Sequence, residues 1–254
     1  MVPGLTRRLL DFRWPRGHTP QPMPTSSTSV AVKICGITSP GAIDAAAGAG
    51  AVYGGLVFHP NSPRFVNLEQ ARALADHMRG RLKIVALIAD MDDVRIENLV
   101  NTVRPDFLQL HGGESARRSA YIRGKFGLPV IKALPVAEPS DLALAAEYEN
   151  AADMLMFDAR PPKEALRGGG HGAAFDWKIL EGRSFTKPWF LAGGLTPENV
   201  ARAISLSGAK QVDVSSGVES APGVESAPGV KDAARIRDFI SAANTPASLS
   251  RQSA

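Results

Sequence analysis

The 254 residues contain one cysteine, Cys35, and it closes a short β-rich run, VAVKIC (30–35). Three other runs end in a comparable way. DFLQL (106–110) leads straight into His111, DMLMFD (153–158) stops on Asp158, and QVDVS (211–215) carries Asp213. A thiol, an imidazole and two carboxyls are the kinds of side chain that give and take protons in acid–base and nucleophilic chemistry. Polar groups at the ends of sequence-distant strands gain little from packing and lose hydration, so packing alone is a poor reason for them. Each also has an ordinary reading when taken singly. A strand-end cysteine is commonly a small buried hydrophobe, and an Asp ahead of a proline-bearing loop can cap a turn. Arg64, in the stretch SPRF, is by itself a solvated surface residue. The question is whether one fold brings these groups together.

The rest of the chain supplies such a fold. Further β-rich runs occur at VYGGLVF (52–58), LKIVALI (82–88), PVIKA (129–133) and PWFLA (188–192), making eight in all. Helical patterns lie between them at Leu68–Met78, Asp93–Val103, 115–126, 141–148 and 197–204. Asp93 and Ser115 are candidate caps, and Thr196-Pro197 places a proline at a first helical position. Strand followed by helix, repeated eight times over about 215 residues, predicts an α/β protein with a parallel sheet closed into a single (β/α)₈ barrel. An open doubly wound sheet would usually carry a Gly-rich dinucleotide turn after its first strand, and KICGITSPGA has no G-x-G-x-x-G. In a barrel, function sits at the carboxyl ends of the strands and alternate side chains point inward. Lys33 then shares a face with Cys35, Gln109 with His111, and Met154 and Met156 with Asp158. Glycines follow three adjacent strands: Gly168-Gly169-Gly170-His171-Gly172 the sixth, Gly193-Gly194 the seventh, and Ser215-Ser216-Gly217 the eighth. Such loops let backbone N–H groups approach an anion, and phosphate is the usual one there.

Composition narrows the remaining possibilities. At 44% hydrophobic and 21% charged residues the chain has ample material for a core. No uncharged apolar run nears the roughly 20 residues of a membrane span. One thiol rules out a disulfide framework and a thiolate zinc cluster, and it suits a reducing compartment, so a cytoplasmic location is expected. The net charge of +4 resides in the ends: Arg7, Arg8, Arg13 and Arg16 against Asp11 at the start, Arg251 at the finish, and a neutral body between. A nucleic-acid partner would want that charge on the folded surface, with aromatics beside it, and is not expected. Residues 1–29 are rich in Pro, Ser, Thr and Arg without periodicity and are expected to be a disordered extension. Residues 244–254 are expected to be a disordered tail, leaving 30–243 as the barrel. No His/Asp/Glu spacing asks for a metal.

KICGIT (33–38), FHPNSPRFV (58–66), LQLHG (108–112), GGHGAAFDW (169–177), LAGGLTPENV (191–200) and DVSSGVES (213–220), in this order, resemble the phosphoribosylanthranilate isomerase family of tryptophan biosynthesis. The resemblance implies a (β/α)₈ barrel catalysing an Amadori rearrangement of a phosphorylated sugar–anthranilate without a cofactor. It implies Asp158 as general acid and Cys35 as general base. A thiol with an ordinary pKa near 8.5 is mostly protonated at pH 7, so the thiolate needs help, which Lys33 is expected to give. Asp158 needs the reverse bias, which burial beside Met154 and Met156 is expected to give. The resemblance further implies that Arg64 grips the anthranilate carboxylate and that His111 and Asp213 orient the substrate. The backbone amides of Gly170, Gly172, Gly193, Gly194, Ser216 and Gly217 would hold the phosphate. Two features depart from the family pattern: His171 stands where threonine is usual, and VESAPG (218–223) is repeated at 224–229. Either copy of the repeat is a candidate for the working one. A monomer is expected, since no extra apolar stripe calls for a partner.

Overall fold

A computed structural model describes residues 29–160, 174–220 and 229–245. Eight parallel strands pair in sequence order and close on themselves: β1 (Ala31–Cys35), β2 (Tyr53–Val57), β3 (Lys83–Ile88), β4 (Phe107–Leu110), β5 (Val130–Val136), β6 (Met154–Ala159), β7 (Trp189–Leu191) and β8 (Gln211–Val214). Seven α-helices follow strands on the outside: α1 (Pro40–Gly48), α2 (Leu68–Met78), α3 (Asp93–Val103), α4 (Ala116–Phe126), α5 (Leu144–Tyr148), α6 (Val200–Ser207) and α7 (Ala233–Asn244). Between β6 and β7 the described residues hold only a 3₁₀ turn, Trp177–Leu180.

Side-chain period decides what each strand faces. On β1, Val32 and Ile34 join the large cluster between sheet and helices, while Cys35 joins Val57 and Leu87 inside the barrel. A layer of Tyr53, Val85, Ile131, Ala133, Met154, Met156, Phe190 and Ala192 fills the interior below them. The barrel is therefore packed, and its mouth is where polar groups are left facing open space.

Local chemistry accounts for the helix starts, with two corrections. Asn67 and Gln70 form a reciprocal capping box on α2, and Ser115 caps α4 through the N–H of Arg118. On α3 the cap is Asp92, one residue before the expected Asp93. Pro197 is not the first residue of α6. The Asn199 side chain accepts from the Thr196 N–H at 2.8 Å, which holds Pro197 in a turn and delays the helix to Val200. The expected end of the barrel also moves. Asn244 is the last residue of α7, and its side-chain oxygen accepts from Val30 N–H at 2.9 Å, tying the helix to the entrance of β1. The remaining expectations for the two tails fall outside the described residues, apart from Ser29 and Thr245. No helix among the described residues is long and apolar enough to cross a membrane.

Candidate active site

The mouth of the barrel opens into a cavity of about 600 Å³, lined by Cys35, Arg64, His111, Asp158, Gly193, Gly194, Asp213 and Ser216 among others. Eight of the residues singled out from sequence therefore converge. Gly170 and Gly172, with His171, lie outside the described residues. Gly217 does not line the cavity. It lies so close to Leu195 that an added Cβ would fall 1.9 Å from the Leu195 carbonyl oxygen, and its own carbonyl accepts from the Arg235 guanidinium.

The register of β1 against β8 sets Lys33 opposite Asp213, and Lys33 Nζ donates to Asp213 Oδ1 at 2.8 Å. Lys33 is wholly buried. There is room for its ammonium group and the Cys35 thiol because Gly55, paired with Cys35 on β2, has no side chain. A Cβ there would lie 3.1 Å from Lys33 Nζ and 3.3 Å from Cys35 Sγ. Burial lowers the Lys33 pKa, but Asp213 and Cys35 more than offset this and leave it raised. The expected bias towards thiolate is corrected by the same geometry. Burial pushes the Cys35 thiol up; Lys33 and Lys231 pull it down, yet Asp213 opposes them and the net direction is upward. A lysine whose charge is matched by its own carboxylate exerts a weakened field on its other neighbour.

The β2 and β8 loops are joined by a second ionic group. Arg64 is buried and meets Glu219 in a forked pair, Nε to Oε1 at 2.6 Å and Nη2 to Oε2 at 2.9 Å. Lys231, also buried, donates to Glu219 Oε1 at 2.7 Å and to the Ser215 carbonyl at 3.0 Å. Burial raises the Glu219 pKa, but Arg64 and Lys231 outweigh it and bring the carboxyl to about 2. Burial lowers that of Lys231 despite Glu219. Gly36, at φ +74°, makes way for Arg64: a Cβ would lie 2.8 Å from its Cδ. Glu219 belongs to the first VESAPG copy, whereas Gly229, whose N–H reaches Glu219 Oε2 at 3.2 Å, belongs to the second. The head of one copy and the tail of the other do the work, because Ser215-Ser216-Gly217 precedes the first and Val230-Lys231-Asp232 follows the second.

The opposite side carries His111 and Asp158. His111 Nε2 lies 3.2 Å from Asp158 Oδ2, each side chain 24% exposed, and Asp158 Oδ1 accepts from the Ala159 N–H at 2.9 Å. Met154 and Met156 share the inward face as expected, but the carboxyl stands above them at the rim beside the imidazole, not buried among them. The β4 loop bearing His111 is braced from outside the barrel. Buried Glu114 accepts from Gly112 N–H, Asp90 N–H and Lys132 Nζ, the last at 2.9 Å. Gly193 and Gly194 both adopt positive φ, and a Cβ on Gly193 would come within 2.4 Å of Ala159 N, so glycine is required for the β7 loop to pass β6.

Sequence reasoning missed Glu219, Lys231, Glu114 and Lys132. The VESAPG repeat drew attention only as a duplication. Lys132 had a signal, a charge inside the apolar run PVIKA that a buried parallel strand tolerates only with a partner. Among the described residues, no group of three or more His, Cys, Asp or Glu could hold a metal ion.

Comparison with known proteins identifies the family. The family model described as N-(5'phosphoribosyl)anthranilate (PRA) isomerase matches residues 32–242. An N-(5'-phosphoribosyl)anthranilate isomerase of Bradyrhizobium sp. (strain ORS 278) is 50% identical over 224 residues, covering 88% of this chain and all of that one. The crystal structure of phosphoribosyl anthranilate isomerase from Thermotoga maritima superposes with a TM-score of 0.73 at 32% identity, covering 84% of this chain and 98% of that one. A phosphoribosyl anthranilate isomerase in complex with reduced 1-(o-carboxyphenylamino)-1-deoxyribulose 5-phosphate gives a TM-score of 0.70 at 31% identity, with the same coverage. With a family model matched from β1 into α7, and a relative aligned over its whole length at this identity, the chain belongs to the N-(5'-phosphoribosyl)anthranilate isomerase family.

Proposed function

We propose that this mouth converts N-(5-phosphoribosyl)anthranilate into 1-(2-carboxyphenylamino)-1-deoxyribulose 5-phosphate, with Asp158 as general acid and Cys35 as general base. The observation that carries the assignment of roles is that these two groups enter one cavity from β1 and β6, three strand positions apart round the closed barrel. Asp158 gives a proton to the ribose ring oxygen, the C1′–O bond breaks, and the anthranilate nitrogen's lone pair completes a Schiff base at C1′. The Cys35 thiolate then takes the C2′ proton; the electrons left behind form the C1′=C2′ bond of an enolamine and neutralise the iminium. Loss of the C2′ hydroxyl proton and protonation at C1′ give the ketone. The low-dielectric setting makes the thiolate scarce but a strong base once formed, with Lys33 and Lys231 the cations nearest in influence.

Arg64 lines the cavity, and its Nε and part of Nη2 are held by Glu219, so a two-point grip on the anthranilate carboxylate uses the Nη1–Nη2 edge. Asp213, next to Cys35, and His111, next to Asp158, orient the sugar. The phosphate takes backbone N–H groups of Gly170, Gly172, Gly193, Gly194 and Ser216, with Gly217 left to pack the loop against Leu195. The enzyme works as a cytoplasmic monomer with neither nucleic acid nor membrane as partner. A Thermotoga maritima member of the family is dimeric, so light scattering at working concentration is the direct check.

Purified enzyme is expected to remove the fluorescence of phosphoribosylanthranilate, and Cys35→Ser and Asp158→Asn to lose that activity while keeping their fold by circular dichroism. Full activity without either group overturns the roles; no turnover by the intact chain overturns the function.

A further inference from the structure

Gln109 is wholly buried on the inward face of β4, directly beneath His111, and the mechanism above gives it no task. Its Nε2 lies 3.0 Å from His111 Nδ1 and 3.4 Å from the Met156 sulfur. Its Oε1 is buried with no hydrogen-bond partner among the described residues. A leucine or methionine would fill the same space without stranding a carbonyl oxygen in an apolar interior, so packing alone does not explain a glutamine here.

We propose that Gln109 is a positioning residue that sets the tautomer of His111 and thereby makes it a hydrogen-bond donor to Asp158. The proposal rests on the reading of Asp158 as the acid. The Met156 thioether has lone pairs and no hydrogen, so the side of the amide that faces it is the N–H side; turned over, the carbonyl oxygen would meet sulfur lone pair to lone pair. That same amide nitrogen then donates to Nδ1 of His111, which keeps its lone pair. In the neutral ring the hydrogen is therefore on Nε2, 3.2 Å from Asp158 Oδ2. Asp158 Oδ1 already accepts from the Ala159 N–H. Two donors thus flank the carboxyl and stabilise the carboxylate that remains once Asp158 has passed its proton to the ring oxygen. Gln109 touches no substrate in this scheme, and the stranded Oε1 is the cost of holding its N–H side upward.

The test is ¹⁵N NMR of histidine-labelled enzyme without substrate, in the neutral-imidazole range, with His111 assigned by its loss in His111→Asn. The intact chain is expected to show His111 with an unprotonated Nδ1 and a protonated Nε2. In Gln109→Met, close in shape and unable to donate, the two tautomers are expected to mix, and kcat to fall about tenfold with KM within about twofold. Gln109→Glu, read at a pH where its own carboxyl is ionised and can only accept, is expected to draw the hydrogen to Nδ1. Nδ1–H in the intact chain, or an unchanged tautomer in a folded Gln109→Met or Gln109→Glu protein, overturns the proposal. Because the tautomer is read without turnover, its control by Gln109 stands or falls separately from the assigned reaction. A shifted tautomer in a chain that does not isomerise the substrate refutes the proposed function alone.

Discussion

On the β1–β8 wall of the mouth, Lys33 is entirely buried and only 9% of the Asp213 side chain reaches solvent. On the β4–β6 wall, His111 and Asp158 each leave 24% exposed. Both walls contain a cation-capable group beside a carboxylate at about 3 Å, yet they answer to different physics. In the buried wall neither charge can lose its partner without leaving the other desolvated and uncompensated. At the rim, water screens both groups, so the contact orients more than it stabilises. The thiol is placed in the first environment, where its proton affinity is a contest between desolvation and ion pairing. Asp158 is placed in the second, within reach of water and of the His111 ring.

The largest test of this contrast is chemical. Cys35→Ser and Asp158→Asn are each expected to lower kcat by about 10²–10⁴-fold, the range one positioned acid or base commands, measured by the fluorescence assay. Equal loss from both would show that each wall supplies one indispensable proton transfer. In stability the walls should part. Lys33→Met strands the Asp213 carboxylate and is expected to cost about 3–5 kcal/mol in urea unfolding, whereas His111→Asn at the rim should cost about 1 kcal/mol or less. Equal costs would erase the distinction.

pH gives a third and smaller effect, with opposite signs at the two extremes. Glu219 is held at about 2 against an ordinary 4.5, so its contribution is present above 4.5 and is lost as pH falls through about 2. The linked loss is about 3 kcal/mol, and Glu219→Gln should flatten that slope in acid-unfolding curves. Cys35 is raised above the ordinary thiol value, so its contribution is present below that value and is lost as pH rises through the raised one. Cys35→Ser should remove that alkaline loss. The smallest effect expected is from deleting one VESAPG copy. Removing 221–226 joins the head of the first copy to the tail of the second and keeps Glu219, Lys231 and Gly229, so KM should stay within about twofold. A large rise in KM would show that the extra residues contribute to the site.

Much of this was legible from local pattern. α2 and α3 appear with the expected bounds because their apolar positions recur at helical spacing. The eight strands appear because β-branched and aromatic runs are bounded by turn residues. α1 and α7 were not singled out: AIDAAAGAG is too uniformly small to show a face, and its helix depends on Ser39, Pro40 and the sheet beneath. The delayed start of α6 turned on one side-chain contact, Asn199 to Thr196, that propensity does not encode. In the site, Cys35, His111, Asp158 and Asp213 were legible because a strand-end polar residue in a barrel has one place to point. The ionic partners were not. Lys33 meets Asp213 across 180 residues and Arg64 meets Glu219 across 155.

The sequence by itself determined the order and period of the elements, the closure that follows from eight strand–helix repeats, and which reactive side chains arrive at the mouth. Those depend on backbone preference and on alternation within a few residues. Only the tertiary structure decided the charge environment of each group: that Lys33 is matched by Asp213, that the Cys35 thiol is pushed up and not down, and that Asp158 stands at the rim beside His111. Desolvation and Coulomb energies depend on distances between chain-distant atoms and on what fills the space around them, and no local pattern carries that information.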